Sequence, residues 1–273
     1  MWHRKPVVAG SFYSSNPKVL SRGIDGYLQD SENIKLNGEV IALISPHAGY
    51  VYSAPVAAYS FIQLKDIDFQ LAIVLAPSHR ARFNGASIIP SGIYETPLGN
   101  LPIDDQVGNL LMEKPHFQFL KEVHNSEHSL EVQIPFLQKV QNDFKLVPIV
   151  IGIVDLDTCR EIADEIYNVL EKEKRKFIII ISTDLSHYHS YENACRIDNI
   201  FIENLKKFDE NSLFDALKSG NTEACGQGSV LTGLSLCKKL GAQRVEILKY
   251  ANSGDTAGGR DQVVGYLSAA ITK

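Results

Sequence analysis

The sequence predicts one α/β domain, residues 1–273, with a mostly parallel central sheet flanked by helices in three layers. Two observations support this fold class. Residues 177–181 form an unbroken apolar run without alternation, which is typical of a parallel strand that helices cover on both faces. Similar runs alternate with segments of amphipathic helical spacing, and no Gly/Pro/Ser-rich linker interrupts them.

Individual strands and helices are predicted from this alternation. The predicted strands are residues 40–44, 71–75, 86–89, 119–124, 145–151, 177–181, 245–250 and 263–271. The predicted helices are residues 19–28, 53–64, 104–113, 126–141, 155–173, 192–207, 212–218 and 229–240. We expect Ser53 to cap the second helix, with Pro55 near its first turn. Residues 94–102 and 252–260 are rich in turn formers and are predicted to lie outside the core elements.

Composition restricts the classes of function. The chain has 273 residues, 44% of them hydrophobic and 22% charged, and a formal net charge of −5. This balance is ordinary for a globular protein with a sizeable core, and no basic cluster is dense enough to follow a nucleic-acid backbone. We expect no membrane segment, because no apolar stretch approaches the length of a spanning helix. The four cysteines form no CxxC pair, which favours reduced thiols in a cytoplasmic setting.

Three predicted strands are each followed closely by a histidine. The first, second and sixth strands lead to His47, His79 and His187. Ligands of open α/β sheets bind beyond the carboxyl ends of the strands, so imidazoles after neighbouring parallel strands converge on one site. One such histidine alone is better explained as a loop cap or as a partner of a carbonyl group. Three in matched positions favour a shared site.

Cys225 and Asp184 supply further candidate chemistry. Imidazole and thiolate suit iron, zinc or copper, and Cys225 precedes a predicted helix start, where partial positive charge lowers a thiol pKa. Cys225 is therefore a candidate metal ligand or nucleophile, with an inert buried thiol as the alternative. We expect Asp184 to orient His187 for acid–base chemistry, unless it only caps the following turn. His128 and Glu131 are expected on one helix face, either in the pocket or in solvent.

Other catalytic patterns are absent from the sequence. No Gly-x-Ser-x-Gly motif supports a serine hydrolase, and no Gly-x-Gly-x-x-Gly fingerprint or Walker-type loop occurs. Arg80 and Arg82 follow His79 and suit a carboxylate or phosphate group, although surface arginines are common.

Six motifs together resemble the Memo family, in that family's order and over nearly the whole chain. They are residues 6–13 (PVVAGSFY), 46–53 (PHAGYVYS), 77–79 (PSH), 96–99 (TPLG), 127–131 (EHSLE) and 182–187 (STDLSH), joined by the Cys225-Gly226 site. The resemblance implies a fold similar to the class III extradiol ring-cleaving dioxygenases, which use non-haem iron(II).

The resemblance also implies roles for individual residues. The family's metal-site positions match His47, His79 and Cys225, so a transition metal is expected there, iron before copper or zinc. Asp184 and His187 match the family's pocket pair, and His128 lies in a motif that faces the same pocket. The catalytic residues implied in this way are Asp184, His187 and His128.

The implied function is a metal-dependent, dioxygenase-like oxidoreductase of unspecified substrate. The dioxygenases hold iron with two histidines and a carboxylate, whereas Cys225 takes the third position here, and an oxidisable thiolate argues against assuming ring cleavage. Two alternatives remain: a catalytically silent binding module for phosphopeptides or anionic metabolites, and a metal-dependent hydrolase. The resemblance adds a radical-SAM protein and a further protein as partners, because microbial relatives are grouped with them.

Overall fold

A twelve-stranded sheet organises the chain, and the computed structural model describes residues 2–273. The strands are β1 (Trp2–Arg4), β2 (Val40–Ser45), β3 (Leu71–Pro77), β4 (Ala86–Ile88), β5 (Gly92–Thr96), β6 (Gly99–Ile103), β7 (Phe117–Gln118), β8 (Lys145–Ile151), β9 (Phe177–Ser182), β10 (His187–His189), β11 (Arg244–Asn252) and β12 (Val263–Thr272). The main path runs β1-β5-β6-β8-β3-β9-β2-β12-β10; β11 pairs with β12, and β4 pairs with β7 and β8.

Ten α-helices are present in the described part of the chain. They are α1 (Pro17–Gln29), α2 (Tyr50–Phe61), α3 (Asp105–Met112), α4 (Lys121–Asn125), α5 (Ile134–Val140), α6 (Leu156–Leu170), α7 (Tyr191–Lys206), α8 (Glu210–Lys218), α9 (Gln227–Lys239) and α10 (Ser253–Thr256), with 3₁₀ turns at Ile62–Leu64 and Glu131–Gln133. None of the helices within residues 2–273 is both long enough and apolar enough to cross a membrane.

The centre of the sheet is parallel and buried on both faces. Strands β8, β3, β9 and β2 are consecutive neighbours and pair in parallel. Side chains alternate along a strand, so Ile179 and Ile181 of β9 pack in one core with α3, α6 and α9. Ile178 and Ile180 pack in the opposite core with α1, α2 and α5. The three-layer α/β fold is confirmed, and the carboxyl ends of β2, β3 and β9 share one edge.

Residues 94–102 differ from the prediction because they form part of a hairpin. Strands β5 and β6 pair antiparallel, with Thr96 opposite Gly99. Tyr94 and Leu101 are buried in the core. The turn formers occupy the short connection, whereas alternate burial along β5 makes it a half-buried strand.

The predicted strand at residues 119–124 is wrong. Only Phe117–Gln118 is extended, and α4 follows. The Leu120 N–H donates to Ser87 Oγ at 3.0 Å, and Arg4 Nε donates to the His124 carbonyl at 3.1 Å. These contacts come from distant segments, so the local sequence pattern does not contain them.

The start of α2 and the loop after β11 also differ. Gly49 is the N-cap of α2, Pro55 lies inside the helix, and Ser53 Oγ donates to the Ala48 carbonyl at 2.7 Å instead of capping. In the predicted loop at 252–260, Asn252 begins α10 with a capping box that includes Asp255.

Candidate metal centre

Three imidazoles meet at the carboxyl edge of the parallel strands. His47 follows β2, His79 follows β3, and His128 precedes the 3₁₀ turn at Glu131–Gln133. The ring centroids of His47 and His79 are 5.1 Å apart, and that of His128 lies 5.6 Å from His47 and 4.7 Å from His79. One possible ligand nitrogen from each ring lies within 4.8 Å of the other two.

His47 is held by a hydrogen-bond chain that fixes its tautomer. Its Nδ1 lies 2.8 Å from Ser182 Oγ. Ser182 donates to the Ser129 carbonyl at 2.8 Å and accepts from Gln133 Nε2 at 2.9 Å. The serine proton is therefore already used, so Ser182 accepts from His47 Nδ1–H, and Nε2 presents a lone pair. Burial lowers the pKa of His47 well below its usual value, which keeps the ring neutral.

His79 presents the same nitrogen by a different contact. Its Nδ1 lies 2.9 Å from Glu127 Oε1. An ionised carboxylate only accepts, so Nδ1 carries the proton and Nε2 offers a lone pair in the neutral ring. The His79 side chain is 28% exposed, so the cluster is open to solvent on this side.

His128 contains a buried nitrogen without a partner. Its Nδ1 lies 3.4 Å from Glu127 Oε1 and makes no hydrogen bond among residues 2–273. Burial lowers the pKa of His128 to about 4, although the nearby Glu127 charge acts in the opposite direction. A buried unpaired nitrogen costs about 1–3 kcal/mol, which is recovered when a ligand satisfies it.

Cys225 lies against His47, outside the group of three histidines. Its Sγ is 3.1 Å from His47 Nε2 and accepts the Asp184 N–H at 3.2 Å. Burial and the Asp184 carboxylate raise the pKa of the thiol. A thiol of this kind keeps its proton at neutral pH unless a cation replaces the proton.

Asp184 contacts His47 rather than His187. Its Oδ1 accepts the His47 N–H at 2.7 Å, and Oδ2 lies 3.9 Å from His47 Nε2. Burial raises the pKa of Asp184 to about 7, against the opposing effect of the His47 N–H. His187 Nδ1 lies 2.8 Å from the Leu185 carbonyl, so the predicted orientation of His187 by Asp184 is wrong. His187 also lies outside the group formed by His47, His79 and His128.

Glu131 anchors the N-terminal segment instead of entering the cluster. Its side chain is fully buried. The groups that donate hydrogen bonds to it are the Arg4 guanidinium, the Tyr13 hydroxyl, and the backbone N–H groups of Val7 and Val8. The anchored segment carries Phe12, whose ring centroid lies 4.9 Å from that of His128. The Phe12 carbonyl accepts the Tyr50 N–H at 2.7 Å, so this segment forms a wall of the site.

The donor set fits a transition metal. Imidazole nitrogen and thiolate sulfur are borderline-to-soft ligands that suit iron, copper and zinc. Donor atoms around a tetrahedral ion at ~2.1 Å lie about 3.4 Å from one another. The three nitrogens lie within 4.8 Å, so small side-chain movements bring them to that spacing.

The fold and this cluster define an α/β protein with a histidine group that can hold a metal ion beyond its central parallel strands. The chain belongs to the Memo family: the family model described as Memo-like protein matches residues 4–270.

Similar proteins agree with this assignment. A MEMO1 family protein of Saccharolobus solfataricus is 39% identical over 97% of this chain and 98% of its own length. A MEMO1 family protein of Methanobrevibacter smithii is 35% identical over the same shares. The crystal structure of uncharacterized protein JW3007 from Escherichia coli K12 superposes with a TM-score of 0.57 and 14% identity, covering 85% of this chain and all of that chain. This last similarity shows the fold alone.

Sequence reasoning missed the residues that support the cluster. Ser182 ends β9, and Gln133 belongs to a 3₁₀ turn far from it in the chain. Glu127 directly precedes His128 in the EHSLE motif, and this adjacency was the available signal. Which histidine nitrogen each polar neighbour engages depends on tertiary geometry, so the motifs did not predict it.

Proposed function

We propose that the chain is a metal-dependent oxidoreductase, with iron as the favoured ion and copper as the alternative; zinc, which is not redox-active, fits only the hydrolytic candidate below. The observation that carries the proposal is the matched presentation of Nε2 lone pairs by His47 and His79, with Cys225 beside the first of them. Histidines with a purely structural role could bond backbone carbonyl groups equally well. The convergence of these two lone pairs therefore favours a bound ion.

Each site residue has a role in this proposal. His47, His79 and Cys225 hold the ion, and His128 is a further candidate ligand. When bound, a redox-active ion supplies electron transfer to or from the substrate. His187 accepts protons at Nε2, because its Nδ1–H is engaged by a carbonyl group. Asp184, with a pKa raised to about 7 by burial, holds or releases a proton near neutral pH.

The first test is metal content. Protein purified anaerobically and reconstituted with iron is expected to retain the metal stoichiometrically, as measured by elemental analysis. A His47→Ala/His79→Ala double variant should lose the metal and remain folded, because both residues lie in loops beyond the carboxyl ends of β2 and β3.

The matched control is a His3→Ala/His116→Ala double variant, which removes two imidazoles that pair with carboxylates outside the cluster. It should retain metal like the unmodified protein. The proposal fails if the unmodified protein holds no iron, copper or zinc after reconstitution.

A binding function is the second candidate. Arg80 directly follows His79 and is exposed, so its charge is available to attract an anionic ligand beside the cluster. Calorimetry with phosphorylated peptides and phosphate-bearing metabolites tests this role. If Arg80→Ala binds these ligands as tightly as the unmodified protein does, Arg80 has no role in ligand binding. Arg22→Ala is the control.

Metal-dependent hydrolysis is the third candidate, with Asp184 or His128 as the base. Oxygen consumption under turnover distinguishes oxidation from hydrolysis. The assay should be run with and without a radical-SAM protein from the same cell, because such a protein is the proposed partner.

A further inference from the structure

Glu127 is a buried carboxylate between the two loops that carry His79 and His128. Its side chain is 1% exposed. Oε2 accepts the His79 N–H at 2.6 Å, and Oε1 accepts His79 Nδ1–H at 2.9 Å. Oε1 also accepts the backbone N–H groups of His128 and Ser129, each at 3.0 Å. One carboxylate therefore connects the end of β3 to a segment about fifty residues later in the chain.

Glu127 acts as an ionised acceptor in this arrangement. Three of its four partners are backbone N–H groups, which can only donate, and Oε1 accepts two of them together with the contact from His79 Nδ1. The carboxylate accepts in all four contacts, so each partner must donate. At His79 Nδ1 this requires the tautomer with the proton on that nitrogen. The backbone carbonyl of Glu127 also accepts a hydrogen bond from Arg4, which limits movement of the loop.

We propose that Glu127 is the positioning residue of the metal centre: it fixes the Nδ1–H tautomer of His79 and holds the His128 loop against that ring. This inference rests on the function proposed above. A carboxylate behind a metal-binding imidazole fixes the orientation of the ring and raises its basicity, and loss of such a partner lowers metal affinity about 10–100-fold. Glu127 touches neither substrate nor ion in this role.

The test is Glu127→Gln, which keeps the shape but replaces one acceptor oxygen with an NH₂ donor. Long-range ¹H–¹⁵N correlation spectra of histidine-labelled protein without metal report the tautomer of each ring. We expect His79 to be protonated at Nδ1 in the unmodified protein and to mix tautomers in the variant. Zinc affinity, measured by chelator competition, should fall about 10–100-fold.

Glu165→Gln is the matched control. Glu165 contacts His116 in the same manner, with Oε1 2.8 Å from Nδ1 and Oε2 3.4 Å from the backbone nitrogen. That pair lies outside the three-histidine group. His116 Nε2 lies 3.2 Å from Glu161 Oε2, so the control should shift the His116 ring towards the tautomer protonated at Nε2 and leave zinc affinity unchanged.

The proposal is overturned if Glu127→Gln leaves the His79 tautomer and zinc affinity unchanged. It is also overturned if His79 in the unmodified protein carries its proton on Nε2. Should Glu127→Gln fail to fold, Glu127→Asp keeps the charge and withdraws it by one methylene, with a smaller loss of affinity expected. If the unmodified protein binds no metal, the proposed function fails, whereas the metal-free tautomer measurement still decides the role of Glu127.

Discussion

His47 and His79 present the same ring nitrogen for different reasons. A serine whose proton is already donated elsewhere fixes His47, and a carboxylate fixes His79. Both rings are thus oriented by partners behind them, which reduces the conformational entropy that ligand binding would otherwise cost. His128 lacks such a partner at Nδ1, so its role in the cluster requires a separate test.

Ligand identity can be resolved with two single variants. We expect His128→Ala to weaken cobalt(II) binding at least about tenfold, because its ring belongs to the group that converges on one point. We expect Cys225→Ser to abolish the thiolate-to-cobalt absorption band while some affinity remains. Absorption titrations of both variants measure these effects.

His116→Ala is the reference for the loss of an imidazole elsewhere. Unchanged cobalt affinity in His128→Ala would assign that residue to the pocket wall. An unchanged absorption band in Cys225→Ser would exclude the thiolate as a ligand.

At the scale of elements, the site depends on the fit of α9 against β9. Gly226 is the N-cap of α9 and directly follows Cys225. A Cβ atom at this position would collide with the Ser182 carbonyl oxygen and lie 2.7 Å from Thr183 Cβ. The absence of a side chain at Gly226 allows Cys225 to approach His47.

Gly226→Ala is therefore expected to reduce stability by about 1–3 kcal/mol and to weaken metal binding. Its backbone angles (φ −92°, ψ 27°) are open to any residue, so the effect comes from the collision alone. Urea denaturation and chelator competition measure the two effects.

Gly23→Ala in α1 is the control, because a Cβ there meets nothing within 4 Å. It should stabilise the helix by up to about 1 kcal/mol. Equal effects of the two substitutions on stability would show that packing at Gly226 is not tight.

The central strands were predictable, whereas the segment between β7 and β8 was not, because the predicted helix at residues 126–141 is a 3₁₀ turn followed by the short helix α5. Unbroken apolar runs identified β2, β3 and β9, because strands covered on both faces need no polar side. The five-residue α4 was assigned to a strand, since contacts from Ser87 and Arg4 outweigh local propensity there. For the site, His47 and His79 were predicted by their positions after strands, whereas His187, predicted in the same way, lies outside the three-histidine group. His128 was expected from the EHSLE motif, and the contacts of Ser182 and Glu127 depend on tertiary geometry.

For the whole molecule, His124 links stability to pH. Burial, together with the nearby Arg4 charge, lowers its pKa to about 3, and its Nε2 lies 3.0 Å from Ser87 Oγ. The unfolded chain binds a proton at this residue below a pKa of about 6.5, but the folded protein does not. Above about pH 6.5 both states are neutral at His124, and the folded protein keeps its full free energy of unfolding. As the pH falls from there towards 3, protonation stabilises the unfolded chain, and the free energy of unfolding decreases.

We expect His124→Asn to flatten the acid side of the stability profile by up to about 1.4 kcal/mol per pH unit. Urea denaturation at several pH values between 7 and roughly 4 measures the slope. His3→Asn, at a position whose side chain is 43% exposed, is the control and should leave the slope close to that of the unmodified protein. Parallel profiles for His124→Asn and the unmodified protein would contradict the assignment.

Strand β12 lies beside β2, although the two are far apart in the sequence. Ala269 pairs with Ile44, more than two hundred positions away, and β9, the other neighbour of β2, is also distant. During synthesis on the ribosome, both edges of the apolar β2 segment therefore stay unpaired until β9 and β12 have been made. Closing such long loops is slow, and aggregation-prone apolar surface stays exposed until the strands pair. Residues 40–45 are thus a stretch that a chaperone can bind in the nascent chain, and the contact of His47 with Ser182 forms only after β9 has been synthesised.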